Sequence, residues 1–379
     1  MNGEIVVKEV QMQSTANTCQ GPGPCPQGDP SDYATVLIMT QGTAGPGFAA
    51  VNVTDPNAPA FLWERTLPGA NDTASSEPAI YQFAQANAQA APNPVVVLTG
   101  GLGGSRTLYA YSVNNAGNNN PVSQVNLPGG SDYPTSPVCL DATGRGVITH
   151  CYALGRDGTL ARVEVITDGN GAGTFGTVTD ITPNGVRGGG RSFYTRPVVF
   201  FGADNAVNIS FGSGDIESLA APSGVTNNIY KLVDRDLSAT ALSAGVCTPT
   251  VNGGSGIQQL TAGEMVVSPP IVSKGVVAFT TYTPGTSGCI AGTGRLRRFD
   301  FQTCVEPLDP NATPLPGGGT DIGAGIHASP VLLRNSEQVV THSSANPIAA
   351  GAAGSATQTR GGRRQPIKRI YWRPVLTVP

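Results

Sequence analysis

Apolar and polar positions alternate along this chain in short runs, and the runs come in a fixed order. In GFAAVNVTDPNAPAFLWERT (residues 47–66) apolar and polar positions alternate with period two, as on a half-buried strand, and Asp55-Pro56-Asn57 marks a turn between two such strands. From Gly263 to Asp309 a strand opens at Pro269-Pro270, a second runs Gly275 to Tyr282, and a third runs Gly294 to Asp300 after a Gly-rich loop. The same order recurs. SEPAIYQF leads to NPVVVLTGG and SRTLYAYSV; TSPVCLDA to GVITHCYALG and GTLARVEV; TRPVVFFG to NAVNISFGSGD and NNIYKLVD; ASPVLLRN to EQVVTHSS and KRIYWRPV. Each unit opens at a proline, Pro78, Pro137, Pro197, Pro269 and Pro330, with spacings of 59, 60, 72 and 61 residues. Proline is tolerated where a strand begins, because its first residue need not donate to the ladder.

Most third strands carry an aromatic residue: Tyr109, Tyr111, Tyr230, Phe299, Tyr371 and Trp372. A fourth strand is expected in VSQVNL, GTVTDIT and LSATALS. A repeat of about sixty residues with four short strands is the signature of propeller blades. The predicted fold is therefore all-β, a modified β-propeller of about six to seven four-stranded blades. Residues 1–31 are expected to form an N-terminal strand and a Cys/Pro/Gly loop, and residues 32–379 the propeller. The first unit, 32–66, lacks a proline-led first strand; either residues 4–10 or the C-terminal end completes it. Residues 84–91 favour a short helix by their Ala and Gln content. Residues 345–366 read as a mobile loop of small residues, next to a basic run of Arg360, Arg363, Arg364, Lys368 and Arg369.

Composition supports this picture. The chain has 379 residues, with 50 glycines and 31 prolines among the apolar runs, and only 12% are charged, about half the usual ~25%. A net charge of −3 gives no nucleic-acid footprint. No apolar stretch approaches a membrane span, and the first ten residues do not have the pattern of a signal peptide. The seven cysteines are Cys19, Cys25, Cys139, Cys151, Cys247, Cys289 and Cys304. None shows zinc-ribbon spacing. Cys19 and Cys25 could close a small ring, Cys139 and Cys151 sit at the ends of a hairpin, and Cys247, Cys289 and Cys304 leave one thiol over. Buried free thiols are the alternative to disulfides.

Candidate chemistry is sparse. His150, His327 and His342 form no metal or catalytic motif. Gly171 to Gly176 matches G-x-G-x-x-G, but a strand follows it where dinucleotide binding needs a helix. Asp168 and Asn170, and Asp141 with Thr143, match parts of a calcium loop. Arg145 stands where the second of these needs a third oxygen ligand. An ordinary Asp/Gly turn is the competing reading of both.

These units resemble the C-terminal propeller of the PilY family, tip-associated adhesin and biogenesis proteins of bacterial type IV pili. Residues 47–66 are similar to its G-x-x-A-L-D-V-T-D-P and Leu-Trp-Glu pattern. Residues 136–165 resemble its Asp-loop and following strand, with Ala161 where Trp is expected before Arg162. Residues 267–300, with paired prolines and a Cys in the loop, are the most similar stretch, and GIHASPVLL and RIYWRPV fit the family's end. The resemblance implies an extracellular, non-catalytic module at the pilus tip or outer surface, exported through the periplasm. It would contact minor pilins and a surface or host ligand; no cofactor is assigned, calcium at Asp141, Asp168 and Asn170 being the one candidate. The Asp-rich loop of some members is degraded at Asp141, Thr143 and Arg145, so calcium control of pilus retraction is not carried over. Two other classes stand beside this one. A quinoprotein dehydrogenase would need Trp-rich docking motifs, whereas only Trp63 and Trp372 are present. A glycan-binding surface propeller unrelated to pili is the other.

Overall fold

The computed structural model describes residues 3–12, 33–85, 93–114, 119–202, 205–219, 225–235, 237, 242, 257–285, 292–301, 319–333, 338–342 and 355–358. These residues fold into six antiparallel sheets, and no helix occurs among them. The first sheet is β1 (Ile5–Gln11), β2 (Tyr33–Thr40), β3 (Gly47–Asn52) and β4 (Ala60–Thr66), hydrogen-bonded in that order. The second runs β5 (Ala79–Phe83), β6 (Asn93–Thr99), β7 (Thr107–Ser112) and β8 (Ser123–Asn126). The third runs β9 (Val138–Leu140), β10 (His150–Leu154), β11 (Leu160–Thr167) and β12 (Gly173–Asp180). The fourth runs β13 (Val198–Phe201), β14 (Val207–Gly212), β15 (Asn228–Asp234) and β16 (Ile257–Gln259). In the fifth, β17 (Met265–Val266) and β18 (Ile271–Ser273) both pair with β19 (Val276–Thr283), which is followed by β20 (Thr293–Asp300) and β21 (Thr320–Ala324). The sixth contains β22 (Val331–Leu333), β23 (Gln338–His342) and β24 (Ser355–Gln358).

Sheets consecutive in sequence pack face to face. Trp63, Ile38 and Phe48 of the first meet Leu98 and Tyr111 of the second in one apolar cluster. Val97 and Phe83 of the second meet Cys151 and Val163 of the third. Leu154 and Tyr152 meet Ile209 and Tyr230, and Ile229 meets Phe279 and Phe299 in the same manner. Strands of equal rank face each other across these interfaces. Lys8 Nζ on β1 donates to the Ile80 carbonyl on β5 at 2.6 Å, and the Cys139 amide on β9 donates to the Tyr81 hydroxyl oxygen at 2.8 Å. At the fourth rank, the Ser123 and Thr174 hydroxyls lie 3.0 Å apart. The central sheets are thus apolar on both faces, and every residue of β7 is buried. These are the blades of a β-propeller, and each is too thin to be stable without its neighbours.

Polar latches reinforce the packing at the turn between the second and third strands. Gly42 bridges to Ala74 of the next blade, and Gly101 bridges to Tyr133. Gly101 has φ +75°, and a Cβ there would sit 2.0 Å from the Thr73 carbonyl oxygen, so only glycine fits. The Thr99 hydroxyl donates to the Tyr133 carbonyl at 2.6 Å, and the Thr135 hydroxyl to the Leu154 carbonyl at 2.7 Å. Thr99→Val keeps the shape and removes one such bond. It is expected to cost about 1 kcal/mol, measured by chemical denaturation; a cost near zero would mean that the latch adds nothing to the apolar contact.

The structure revises several sequence expectations. Of the two alternatives for completing the first blade, residues 5–11 supply the strand, pairing with β2 from Ile5↔Met39 to Gln11↔Tyr33. The segment before residue 32 therefore contributes a strand to the propeller. β18 opens directly after Pro269-Pro270, as expected; what the sequence reading lacked is β17, a short strand before the pair that also pairs with β19. Ile257–Gln259 pairs with β15 as the fourth strand of the fourth blade. Of the expected strand LSATALS only Leu237 and Leu242 are among the described residues, and both pack against the cluster shared with the third blade. Ser355–Gln358, inside the expected loop 345–366, pairs with β23. The strand expected at 79–83 ends at Phe83 as the repeat register requires. Most of the short helix expected at 84–91, the basic run and KRIYWRPV lie outside the described residues.

Candidate functional site

The first strands of blades one to three converge on a concavity of about 350 Å³ near the hub. It is lined by Lys8 and Gln11 of β1, Ile80 and Tyr81 of β5, Cys139 of β9 and Asp141 beyond it. Lys8 lies 5.3 Å from the centre of the Tyr81 ring, and burial lowers the pKa of its ammonium. Tyr81 titrates above its ordinary range because burial disfavours the phenolate. The wall thus offers an exposed cation held against an aromatic face, a geometry that suits a polar or anionic group arriving from solvent. Sequence reading missed this constellation, because Lys8, Tyr81 and Asp141 belong to three different blades and no local motif links them.

Cys139 and Cys151 are directly opposed on β9 and β10 and form a disulfide, with their Cα atoms 3.9 Å apart. Both sulfurs lie in the core between blades two and three. Cys19, Cys25, Cys247, Cys289 and Cys304 lie outside the described residues.

Each calcium candidate sits in its own turn. Asp141 Oδ1 accepts from the Thr143 amide and hydroxyl, both at 2.8 Å, and its Oδ2 accepts from the Gly146 amide at 2.6 Å. Its slight burial raises its pKa, but these bonds outweigh that and hold the carboxyl below the ordinary Asp range. Asp168 Oδ1 accepts from the amides of Asn170 and Ala172 at 2.8 and 2.9 Å, closing the β11–β12 hairpin. In both turns the carboxylate is engaged by the chain's own amides. Among the described residues no three His, Cys, Asp or Glu side chains gather as a metal site. The G-x-G-x-x-G run spans this hairpin and enters β12 at Gly173, with no helix start to receive a phosphate. Arg162, singled out where its neighbour is Ala161, donates to Asp234 Oδ2 at 2.8 Å, and the Tyr152 hydroxyl donates to the same oxygen at 3.0 Å. That cluster ties blade three to blade four.

Six radially arranged sheets with a disulfide in the third blade define a disulfide-bonded β-propeller. No family model and no curated protein matches the chain. Among solved structures it is similar to the C-terminal domain of Pseudomonas aeruginosa PilY1, at 15% identity and a TM-score of 0.59, covering 87% of this chain and 81% of that one. It is also similar to the Dos1 propeller, at 9% identity and a TM-score of 0.46, over 81% of this chain and 63% of that one. A europium-containing methanol dehydrogenase is similar at 8% identity and a TM-score of 0.38, over 81% of both chains. The PilY1 likeness identifies the fold as a PilY1-like propeller.

Proposed function

We propose that this chain is a non-catalytic, extracellular propeller of a type IV pilus-associated protein. Its role is to support pilus assembly and extension and surface attachment, through contacts between loops on one propeller face and minor pilins. The observation that carries this reading is the PilY1-domain likeness over 87% of the chain. The order of PilY-like sequence units from residue 47 to the C-terminal aromatic run supports it. The Cys139–Cys151 disulfide fits export through an oxidising periplasm. Rigid blades joined by latches suit a scaffold whose loops differ while its frame does not.

An in-frame deletion in the bacterium that makes the protein tests the proposal. Surface pili counted by electron microscopy and attached cells should both fall sharply and return on complementation, and minor pilins should co-purify with the complementing chain. Normal piliation and adhesion in the deletion strain would reject the reading.

A further inference from the structure

Residues 8–11 of β1 and 80–82 of β5 all line the hub concavity. Consecutive strand residues point to opposite faces, so a space that touches all of them lies against the strand edges. The Thr40 amide donates to the Glu4 carbonyl at 3.1 Å. That bond assigns the even-numbered residues of β1 to β2 and turns the amides and carbonyls of Glu9 and Gln11 toward the hub. On β5 the matching edge is already engaged. The Ile80 carbonyl accepts from Lys8, and the Gln82 carbonyl accepts from the Ile148 amide at 2.9 Å.

Two side-chain donors border the same space. Lys8 stands between Val6 and Val10 on the side of β1 that faces blade two. Its exposed ammonium lies over the Tyr81 ring and gives one of its three hydrogens to the Ile80 carbonyl. Among the described residues no carboxylate pairs with it, and partial burial is the one influence on its pKa. The Tyr81 hydroxyl oxygen accepts from the Cys139 amide at 2.8 Å, which leaves its own hydrogen to donate. Two acids also line the concavity, and neither answers the cation. Glu9 points to the opposite face of β1, and Asp141 is closed on the amides of Thr143 and Gly146.

We propose that the hub concavity is a carboxylate site, in which an acidic side chain or the terminal carboxylate of an extended peptide accepts from Lys8 Nζ and the Tyr81 hydroxyl. One positive charge matches one carboxylate, and the described lining holds no arginine or helix start of the kind that gathers phosphate. A volume of about 350 Å³ is near the lower end for ligand sites and suits one side chain or chain end. The edge at Glu9 and Gln11 offers amides and carbonyls to the backbone that carries the carboxylate, which favours a peptide over a free acid. The assignment rests on the hub alone and goes beyond the pilus reading, so its failure would leave that reading untouched.

The chain has four lysines, Lys8, Lys231, Lys274 and Lys368, so the full protein labelled with carbon-13 lysine gives few side-chain signals to follow by nuclear magnetic resonance. The probes are acetyl-Gly-Gly-Glu-amide, acetyl-Gly-Gly-Gly with a free terminus, the neutral acetyl-Gly-Gly-Gln-amide, acetate and inorganic phosphate. The Lys8 signal, identified by its loss in Lys8→Gln, should shift saturably with one or both acidic peptides and stay still with the neutral one. The tighter of the two acidic peptides names the source of the carboxylate. By calorimetry, Lys8→Gln should weaken binding about tenfold and Tyr81→Phe about threefold. Lys274→Gln, in the β18–β19 turn, should leave it unchanged. An unmoved Lys8 signal, an equal shift with the neutral peptide, acetate binding as tightly as the peptides, or phosphate binding more tightly than both would each overturn the proposal. Those four comparisons use the unaltered chain, so they decide the matter even if a variant fails to fold.

Discussion

Arg297→Met is expected to destabilise the protein by about 3–5 kcal/mol, the largest single-residue loss foreseen here, because it strands a buried carboxylate. Glu264 is 0% and Arg297 1% exposed. Arg297 Nε donates to Glu264 Oε1 at 2.8 Å and Nη2 donates to Oε2, a two-pronged pair, while the Thr261 and Thr281 hydroxyls donate to the same carboxylate. The Glu264 carbonyl in turn accepts from Asn227 Nδ2 at 3.0 Å, so the pair sits where blade five grips blade four. Replacing both partners, Glu264→Leu with Arg297→Met, should lose less than Arg297→Met alone, since no bare charge then remains in the interior. Denaturant unfolding followed by near-ultraviolet circular dichroism measures both. If the single variant lost under 1 kcal/mol, solvent would have to reach Glu264.

The same pair sets a pH dependence. Burial alone would raise the Glu264 pKa, but the bonds and charge of Arg297, with Thr261 and Thr281, bring it below the ordinary Glu value of 4.5. A depressed carboxylate favours the folded state fully above its unfolded pKa. The contribution fades as pH falls below 4.5 and through the folded value. Tm should therefore fall on acidification in that range, and fall less in the doubly substituted protein.

Reduction of the Cys139–Cys151 disulfide is the second large effect, with an expected loss of about 2–4 kcal/mol. The bridge closes a loop with a sequence separation of 12, and that loop contains the Asp141 turn. Opening it returns conformational freedom to the unfolded chain and loosens β9 against β10, where the hub concavity has part of its wall. Cys139→Ala with Cys151→Ala should reproduce the loss without reductant, adding the smaller cost of two sulfurs removed from the core. Matched thermal scans with and without dithiothreitol decide the matter. A Tm unmoved by reductant would show that the cross-strand contact holds the loop unaided.

Much of the blade plan was legible along the chain. Proline-headed starts at Pro78, Pro137 and Pro197 precede β5, β9 and β13, and the alternating runs after them became second and third strands. That information is local, since φ restriction, turn chemistry and period-two burial act within a few residues. Two strands that the sequence left unread share one cause. Ile257–Gln259 does not read as a strand at all, since three residues carry too little pattern and their pairing with β15 depends on an edge remote in sequence. The proline pair does open β18, but β17 before it went unread, because β19 is long enough to take one strand on each side of the pair.

The candidate site was almost silent in the sequence. Lys8 and Tyr81 are 73 residues apart in numbering, and the hydrogen bond between Lys8 and Ile80 is separated by 72. Nothing around Glu264 announces that it meets Arg297, 33 positions on. The amino-acid order by itself determined the spacing of the small sheets and the turns between their strands, and it placed Cys139 and Cys151 at the ends of one hairpin. Only the tertiary structure decided which segment completes the first blade, which side chains share the hub, and which charges are buried as pairs. The physical reason is that a strand is specified by its neighbours in the chain, whereas the contacts between blades depend on register and packing across segments that the chain brings together only when folded.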